Sequence, residues 1–211
     1  MKVVVGKASL RRSLKWAQRV LLACAVLLLG YTGFALVDAW IFQRRESRDL
    51  DRLLRDRRAA SQAAQKPVPS TPPAATETTE PGVLIGRIEI PRLLLSVVVI
   101  EGIDRTNLRR AVGHVPGTAL PGRPGNVGLA GHRDTFFRPL KDLRVKDEIL
   151  FSTLKGNFRY LVVSLTIVDP DDVGVLASSA ENVLTLVTCY PFYYVGPAPQ
   201  RFIVRARQVS L

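Results

Sequence analysis

The 211-residue chain contains only two histidines and two cysteines, and one of each lies at the end of a strand-like run. Cys189 ends the apolar run NVLTLVTC, and the proline two residues later helps to end a strand there. His132 directly follows the run NVGLAG. Cysteine-dependent acyl transfer needs a sulfur nucleophile and an imidazole that can give a proton to a leaving amine. Cys189 and His132 are therefore candidates for these two roles. The alternatives are a buried structural thiol and a hydrogen-bonded surface histidine.

Arg201 is the third candidate, because it follows Cys189 by twelve residues and opens the last strand-like run, RFIVRAR. If strands 183–189 and 201–207 are neighbours, the guanidinium can point into the same cleft as the thiol. A fixed cation with several donors suits the oxyanion of a tetrahedral intermediate. The alternative is an ordinary edge-strand arginine, like the two that follow it on the same run.

Metal chemistry is not indicated by the sequence. Two histidines, one available cysteine and scattered carboxylates lack the spacing of a metal site, so we expect no metal and no cofactor. Asp169, Asp171 and Asp172, with Glu181, lack the regular ligand ladder of an EF-hand. A solvated turn is therefore favoured over a calcium site there.

Short β-rich runs make up the chain after residue 83. They are VLIGRIEI, SVVVIEG, NVGLAG, EILFST, FRYLVVSLTIV, NVLTLVT and RFIVRAR. Val, Ile, Thr and aromatic residues favour strands, and turn segments such as GRPG at 122–125 separate them. Seven or eight strands in about 130 residues predict one closed or nearly closed antiparallel-type β-barrel. Helical periodicity is confined to short pieces near 104–111 and 136–142.

An apolar block near the N-terminus predicts a transmembrane anchor over residues 20–42. Residues 20–37 carry no charge, and Trp16 and Trp40 flank them as interfacial aromatics do. A cleaved signal peptide is the alternative, but its apolar region is normally shorter and ends at a small-x-small site. Because Cys24 lies inside this block, we expect no disulfide between it and Cys189.

Between the anchor and the β-rich region lies a segment, 43–82, that is charged at first and then rich in proline. Residues 43–65 predict a short solvated helix, and residues 66–81 predict a stiff extended spacer. The predicted organisation is an N-terminus at 1–19, the anchor, this segment and a β-barrel domain at 83–211. Six Lys/Arg precede the apolar block and seven follow it within residues 43–58, so the charge rule does not fix the orientation.

The net charge of +12 does not predict nucleic-acid binding. Residues 1–81 hold 14 Lys/Arg against 7 Asp/Glu, so more than half of the excess flanks the apolar block, where it suits anionic lipid headgroups. The rest is spread without a basic helix or interleaved aromatics. We therefore expect a membrane partner and no nucleic acid.

Two segments closely resemble the signature regions of bacterial sortases, and their sequences are most like those of class D. They are GTALPGRPGNVGLAGHRDTFF and TLVTCYPFYYVGPAPQRFIVRA, and the similarity extends over about residues 83–209. The resemblance implies an all-β fold, a closed eight-stranded sortase-type barrel with short helices. It implies that Cys189 is the nucleophile, His132 the catalytic histidine and Arg201 the catalytic arginine. His114 matches a recurrent loop position, and we expect no catalytic role for it.

The resemblance also implies a reaction. Cys189 would attack the Thr carbonyl of a C-terminal Leu-Pro-x-Thr-Gly-like sorting signal, and an amine acceptor, a cell-wall precursor or a protein amine, would resolve the thioacyl-enzyme. Clients would be secreted proteins, which places the barrel on the extracytoplasmic side of the plasma membrane and 1–19 in the cytoplasm. Two alternatives are an endopeptidase that gives the acyl group to water and a non-catalytic peptide-binding barrel.

Overall fold

The computed structural model describes residues 7–63, 80–194 and 196–209. The chain divides into two compact units, Met1–Ile41 and Phe42–Leu211. The predicted Pro-rich spacer, 66–81, lies almost wholly outside the described residues, so its extended conformation stays a prediction.

One long helix, α1, covers Lys7–Ala63. Its described side chains from Leu14 to Val37 are all exposed, although most of them are apolar. A helix that is apolar on every face suits the hydrocarbon core of a bilayer. By length and composition, α1 is the one helix among the described residues that could cross a membrane, and it contains the predicted anchor at 20–42.

The second unit contains a closed barrel of eight strands, as the sequence and the resemblance predicted. The strands are β1 (Leu84–Ile90), β2 (Leu95–Glu101), β3 (Val112–His114), β4 (Asn126–Ala130), β5 (Glu148–Thr153), β6 (Gly156–Val168), β7 (Val183–Tyr190) and β8 (Gln200–Val209). Around the barrel they run β1-β2-β3-β4-β7-β8-β6-β5. The connections hold the short helix α2 (Arg105–Arg110) and three 3-10 turns, Pro91–Leu93, Arg138–Asp142 and Val173–Leu176.

Each of the seven predicted runs forms a strand, and the two predicted helical pieces contain α2 and the turn Arg138–Asp142. The eighth strand, β3, has three residues and ends at His114, where the resemblance implied a loop. The barrel is also not purely antiparallel, because β3 pairs in parallel with β2 and β4 pairs in parallel with β7. Parallel neighbours need a crossover connection, which α2 supplies for β2–β3 and which β5 and β6 supply for β4–β7.

Alternating apolar side chains fill the barrel. Leu129 on β4, Leu186 on β7 and Val204 on β8 are fully buried in this core. Burial there raises the pKa of Tyr160 on β6 to about 12. Because side chains alternate between the two faces of a strand, the residues flanking these core positions point to the outside of the barrel. The outer face of β4, β7 and β8 is where the candidate site lies.

The part of α1 that belongs to the second unit contacts the barrel through Gln43. Its side-chain amide donates to the carbonyl oxygen of Arg110 at 2.7 Å and accepts from the backbone N–H of Val98 at 3.0 Å. Phe42 packs against the small cluster that contains Val98 and Ile100. The side chain of Gln43 thus satisfies a backbone donor on β2 that has no partner on β3, whose pairing with β2 begins at Val99.

Further along α1, Asp51 forms an ion pair with Arg87 of β1 at 3.0 Å, and Leu50 is fully buried. The charged segment after the anchor is therefore helical, as predicted, but one face of it is packed rather than solvated. The boundary of the folding domain at residue 83 stays a prediction, and these contacts bear directly on it.

An ion pair fixes the end of the barrel near β5. The guanidinium of Arg92 donates through Nε and Nη2 to the carboxylate of Asp147, with both distances 2.5 Å. Nη2 also donates to the carbonyl oxygen of Asp142 at 2.6 Å. The hydrogen bond from Arg92 holds the pKa of Asp147 below its usual value of 3.8. The pair joins the 3-10 turns Pro91–Leu93 and Arg138–Asp142 to the start of β5.

Candidate active site

Cys189 and Arg201 are direct partners across the antiparallel strands β7 and β8. Residues opposite each other in such a pair project to the same face, with Cβ atoms roughly 4.5–5.5 Å apart. Since Leu186 and Val204 point into the core, Cys189 and Arg201 point outward. Cys189 is a free, half-buried thiol. The structure therefore brings together the thiol and the guanidinium that the sequence predicted as neighbours.

The guanidinium of Arg201 is oriented by its own backbone surroundings. Nη1 donates to the carbonyl oxygens of Gln200 at 3.0 Å and Ala198 at 3.2 Å. Within the described part of the chain, no carboxylate pairs with this side chain. An arginine held by neutral carbonyls keeps its positive charge available for an anion, such as a developing oxyanion.

His132 leaves β4 next to the end of β7. Ala130 is in register with Val187 in the parallel pair, so Cys189 and His132 are each two residues beyond registered partners. The connection is fixed by two hydrogen bonds: the Gly131 N–H donates to the Val187 carbonyl at 3.1 Å, and the Thr188 hydroxyl donates to the Gly131 carbonyl at 2.7 Å. The exposed imidazole of His132 thus lies at the same end of the outer face as the thiol.

An aromatic cluster on the core side packs against this end of β7. The ring of Phe192 meets those of Tyr190 and Phe202 edge-on, with centroid distances of 6.1 and 5.4 Å. Tyr190 and Phe202 are stacked at 6.3 Å. Phe192 and Phe202 also pack against the main core. Edge-to-face and offset-stacked rings stabilise one relative arrangement. The cluster therefore stabilises the backbone that carries Cys189.

The β6–β7 segment (169–182) packs on the outer face of β4 and is held by Asn126. The Asn126 amide, 2% exposed, donates to the carbonyls of Val175 at 3.1 Å and Ala177 at 3.2 Å. Its oxygen accepts from the hydroxyl of Thr185 at 2.7 Å. Here Gly128 allows a close approach, since a Cβ on it would lie 2.9 Å from Leu176. Together these contacts hold the segment on the face of β4 that carries His132 beyond its far end.

His114 does not join Cys189 and His132 on the outer face, because it is 2% exposed at the end of β3. Its Nδ1 lies 2.8 Å from Oε2 of Glu101, itself 6% exposed, and its Nε2 lies 3.0 Å from the carbonyl oxygen of Ala119. The Thr118 hydroxyl also lies 3.1 Å from Nε2. These contacts hold the ring inside the second unit, and the absence of a catalytic role for His114 stays a prediction.

Two further polar residues near the site do not follow from the sequence patterns. Arg133 is 6% exposed and donates to three backbone carbonyls of the loop that follows Cys189. In the sequence, Asn126 is only the first residue of a strand-like run. Neither could be recognised from a local pattern, because charged and amide side chains are usually exposed. The one signal was position, since Arg133 follows His132 and Asn126 opens the same strand.

A sulfur nucleophile, an imidazole and a cation at one end of the outer face can carry out acyl transfer. The imidazole can protonate a leaving amine and deprotonate an incoming nucleophile, and the guanidinium can bind an oxyanion. Among the described residues, no three His, Cys, Asp or Glu side chains are grouped as metal ligands would be.

Similarity to known proteins identifies the family. The family model of the Sortase domain matches residues 88–209. The chain is 32% identical to Sortase D of Bacillus subtilis (strain 168) over 197 residues, which cover 90% of this chain and 96% of that protein.

Solved structures agree with the sequence relatives. The Sortase D5 transpeptidase of Clostridium perfringens superposes with a TM-score of 0.58 at 32% identity, covering 64% of this chain and 84% of that one. Sortase C from Clostridium perfringens SM101 gives a TM-score of 0.57 at 26% identity, over 79% of this chain and 91% of that one. The chain therefore belongs to the sortase family of cysteine transpeptidases, and within that family it is class D-like.

Proposed function

We propose that this sortase is anchored in the plasma membrane, cleaves a C-terminal Leu-Pro-x-Thr-Gly-like sorting signal and transfers the protein to an amine at the cell envelope. The observation that carries the proposal is the register of Cys189 opposite Arg201 on the outer face. The hydrogen-bonded exit of β4, which brings His132 to the same end, supports it.

In the first half-reaction, the thiolate of Cys189 attacks the Thr carbonyl carbon, and the carbon–sulfur bond forms as the carbonyl oxygen becomes an oxyanion. Arg201 donates hydrogen bonds to that oxygen. When the tetrahedral intermediate collapses, the Thr–Gly carbon–nitrogen bond breaks and His132 gives its proton to the leaving amine. The product is a thioester between Cys189 and the Thr carbonyl.

In the second half-reaction, an acceptor amine attacks the thioester. Neutral His132 takes the proton from the amine, Arg201 again binds the oxyanion, and the Cys189 thiolate leaves as the new amide forms. Acceptors of the expected chemistry are a cell-wall precursor amine or a protein amine.

The outer face of β4 and β7 suits the apolar part of such a signal. Val187 and Ala130 are registered, half-buried neighbours on this face, just before the thiol along β7. Leu176 contacts Gly128 where the β6–β7 segment packs against β4. An extended peptide with an aliphatic residue and a proline can bury these side chains there, leaving its Thr carbonyl near Cys189.

The proposed topology has residues 1–19 in the cytoplasm, 20–42 in the membrane, and the segment 43–82 and the barrel, 83–211, outside. The apolar, fully exposed stretch of α1 supports the anchor. Secreted proteins as clients support the outward orientation, since the enzyme must meet them after export.

The decisive experiment uses the full-length protein in detergent micelles with a sorting-signal peptide, with and without a short glycine peptide as amine. Mass spectrometry should show the new amide only when the amine is present, and Cys189→Ala should abolish cleavage. Hydrolysis unchanged by the amine would instead support the endopeptidase. Absence of cleavage for a panel of Leu-Pro-containing peptides would overturn the proposal in favour of a binding barrel.

A further inference from the structure

The β7–β8 loop (191–199, described except for residue 195) lies between Cys189 and Arg201, and besides the packing of Phe192 it is held by the buried side chain of Arg133. Arg133 donates from Nη1 to the Pro191 carbonyl at 3.0 Å. Its Nη2 donates to the carbonyls of Tyr194 at 2.6 Å and Gly196 at 3.1 Å. One guanidinium thus binds three carbonyls spread over the loop, a geometry that lysine cannot reproduce.

The surroundings of Arg133 show that these bonds are its main partners. Its carbon Cζ lies 5.9 Å from the ring centroid of Tyr194, and its Nε lies 3.5 Å from the exposed carboxylate of Asp134. The side chain is 6% exposed. A buried cation bonded to neutral carbonyls is costly unless its donors are satisfied, so the loop conformation and the buried position of Arg133 depend on each other.

Arg133 is also the residue after His132. Its backbone belongs to the exit of β4, which Gly131 and Thr188 tie to β7. The loop that it holds begins at Pro191, two residues after Cys189, and ends before Arg201. A single side chain therefore links the three segments that carry the thiol, the imidazole and the guanidinium.

We propose that Arg133 is a positioning residue that fixes the β7–β8 loop and thereby sets the placement of His132 and Arg201 relative to Cys189. The inference rests on the proposed function for its catalytic consequence. A misplacement of about 1 Å can cost about 100-fold in rate without any change in the reacting groups. Arg133 thus acts on the rate of acylation more than on peptide affinity.

The test uses full-length protein in detergent, with Arg133→Gln, Arg133→Lys and the control Arg138→Gln, an exposed arginine a few residues further on. For Arg133→Gln we expect kcat to fall about 10- to 100-fold, with a smaller change in KM. Arg133→Lys should fall between this variant and wild type, and the control should match wild type. Unchanged kcat in folded Arg133→Gln would overturn the proposal.

A second variant perturbs the same loop without touching Arg133. Gly196 has a φ of +109°, which favours glycine, so Gly196→Ala should displace the loop and lower kcat in the same way. This variant decides the question if Arg133→Gln does not fold. A folded Gly196→Ala protein with wild-type kcat would then overturn the proposal.

Two readouts do not depend on turnover and separate this proposal from the proposed function. Chymotrypsin should cleave at Tyr193, which is 86% exposed, faster in Arg133→Gln than in wild type. Alkylation of Cys189 by iodoacetamide should continue, showing that the thiol is still present and reactive. If wild type lacks transpeptidation, the proposed function fails, while unchanged cleavage of the loop in Arg133→Gln overturns the role of Arg133.

Discussion

Cys189 and Arg201 are directly opposite each other in the antiparallel pair of β7 and β8, so their side chains share the outer face of the barrel. If Arg201 binds the oxyanion, its removal should cost about two to three orders of magnitude in rate. We expect Arg201→Ala to lose kcat/KM to this extent and Arg201→Lys somewhat less, because lysine keeps the charge but loses the planar donors. Both should retain the wild-type thermal midpoint.

Arg205 is the matched control for this prediction. It points to the same face four residues further along β8, about 13 Å away, and its partner on β7 is Thr185 rather than Cys189. Arg205→Ala should keep nearly full activity. Retention of more than about a tenth of wild-type kcat/KM by Arg201→Ala would contradict the assignment of Arg201 to the oxyanion.

The two histidines should respond to substitution in opposite ways. His132 is exposed, so His132→Ala should abolish transpeptidation and change the free energy of unfolding by less than about 0.5 kcal/mol. His114 is buried against Glu101, so His114→Ala leaves a buried carboxylate without its partner and should cost about 3–5 kcal/mol. Folded His114→Ala protein should still turn over. Denaturant unfolding and peptide kinetics on both variants check this, and equal losses of activity would contradict it.

Asn126 should affect affinity for the sorting signal, because it holds the β6–β7 segment on the face proposed to bind that signal. Asn126→Asp has the same shape but loses both donors to the β6–β7 segment. At about 1 kcal/mol for each of the two hydrogen bonds, we expect KM for the peptide to rise by up to about 30-fold, with a smaller change in kcat. The exposed Asn157→Asp on β6 carries the same chemical change and should leave KM unaltered. A wild-type KM in Asn126→Asp would rule out this role for the segment.

The ion pair between Arg92 and Asp147 predicts how stability depends on pH. Since the folded-state pKa of Asp147 lies below 3.8, its contribution is complete above the unfolded-state pKa and is lost as pH falls through the folded-state pKa. Thermal midpoints of wild type and Asp147→Asn should therefore differ at pH 6 and converge on acidification below about pH 4. Glu181→Gln removes an ion pair whose carboxylate is 57% exposed and should change little at either pH.

The contacts of Phe42, Gln43 and Leu50 predict where the folding unit begins. Both a fragment of residues 42–211 and one of residues 82–211 retain the whole barrel, but only the longer one keeps these contacts. Burial of a leucine contributes about 2 kcal/mol, so the shorter fragment should melt about 4–8 °C lower. Circular dichroism melts of the two fragments measure this. Equal midpoints would support a domain that starts at residue 83.

The fold was predictable where local pattern determines it. Apolar runs and turn residues located seven strands, and the eleven residues between Cys189 and Arg201 are few enough for β7 and β8 to be neighbours in sequence and in space. β3 was missed because three residues, Val112–His114, are too short to show an alternating pattern. Its pairing with β2 and β4 comes from tertiary contacts.

The sequence and the resemblance pointed to the residues of the candidate site, but not to the residues that hold them in place. His132 and Cys189 are 57 residues apart, and the parallel pairing of β4 with β7 that joins them leaves no local signal. The resemblance to sortases supplied that link. Arg133 and Asn126 could not be found, because their importance comes from burial beside particular carbonyls, which depends on the closed barrel.

The order of strands around the barrel has a consequence for the assembly of the site. β8 lies between β6 and β7, so it supplies both the closing ladder and Arg201. β4 pairs with β7 although β5 and β6 separate the two strands in sequence. Partly folded chains lack the arrangement around Cys189 until these long-range pairings form. An incompletely folded molecule therefore carries the cysteine without the imidazole and the guanidinium that the folded barrel brings near it.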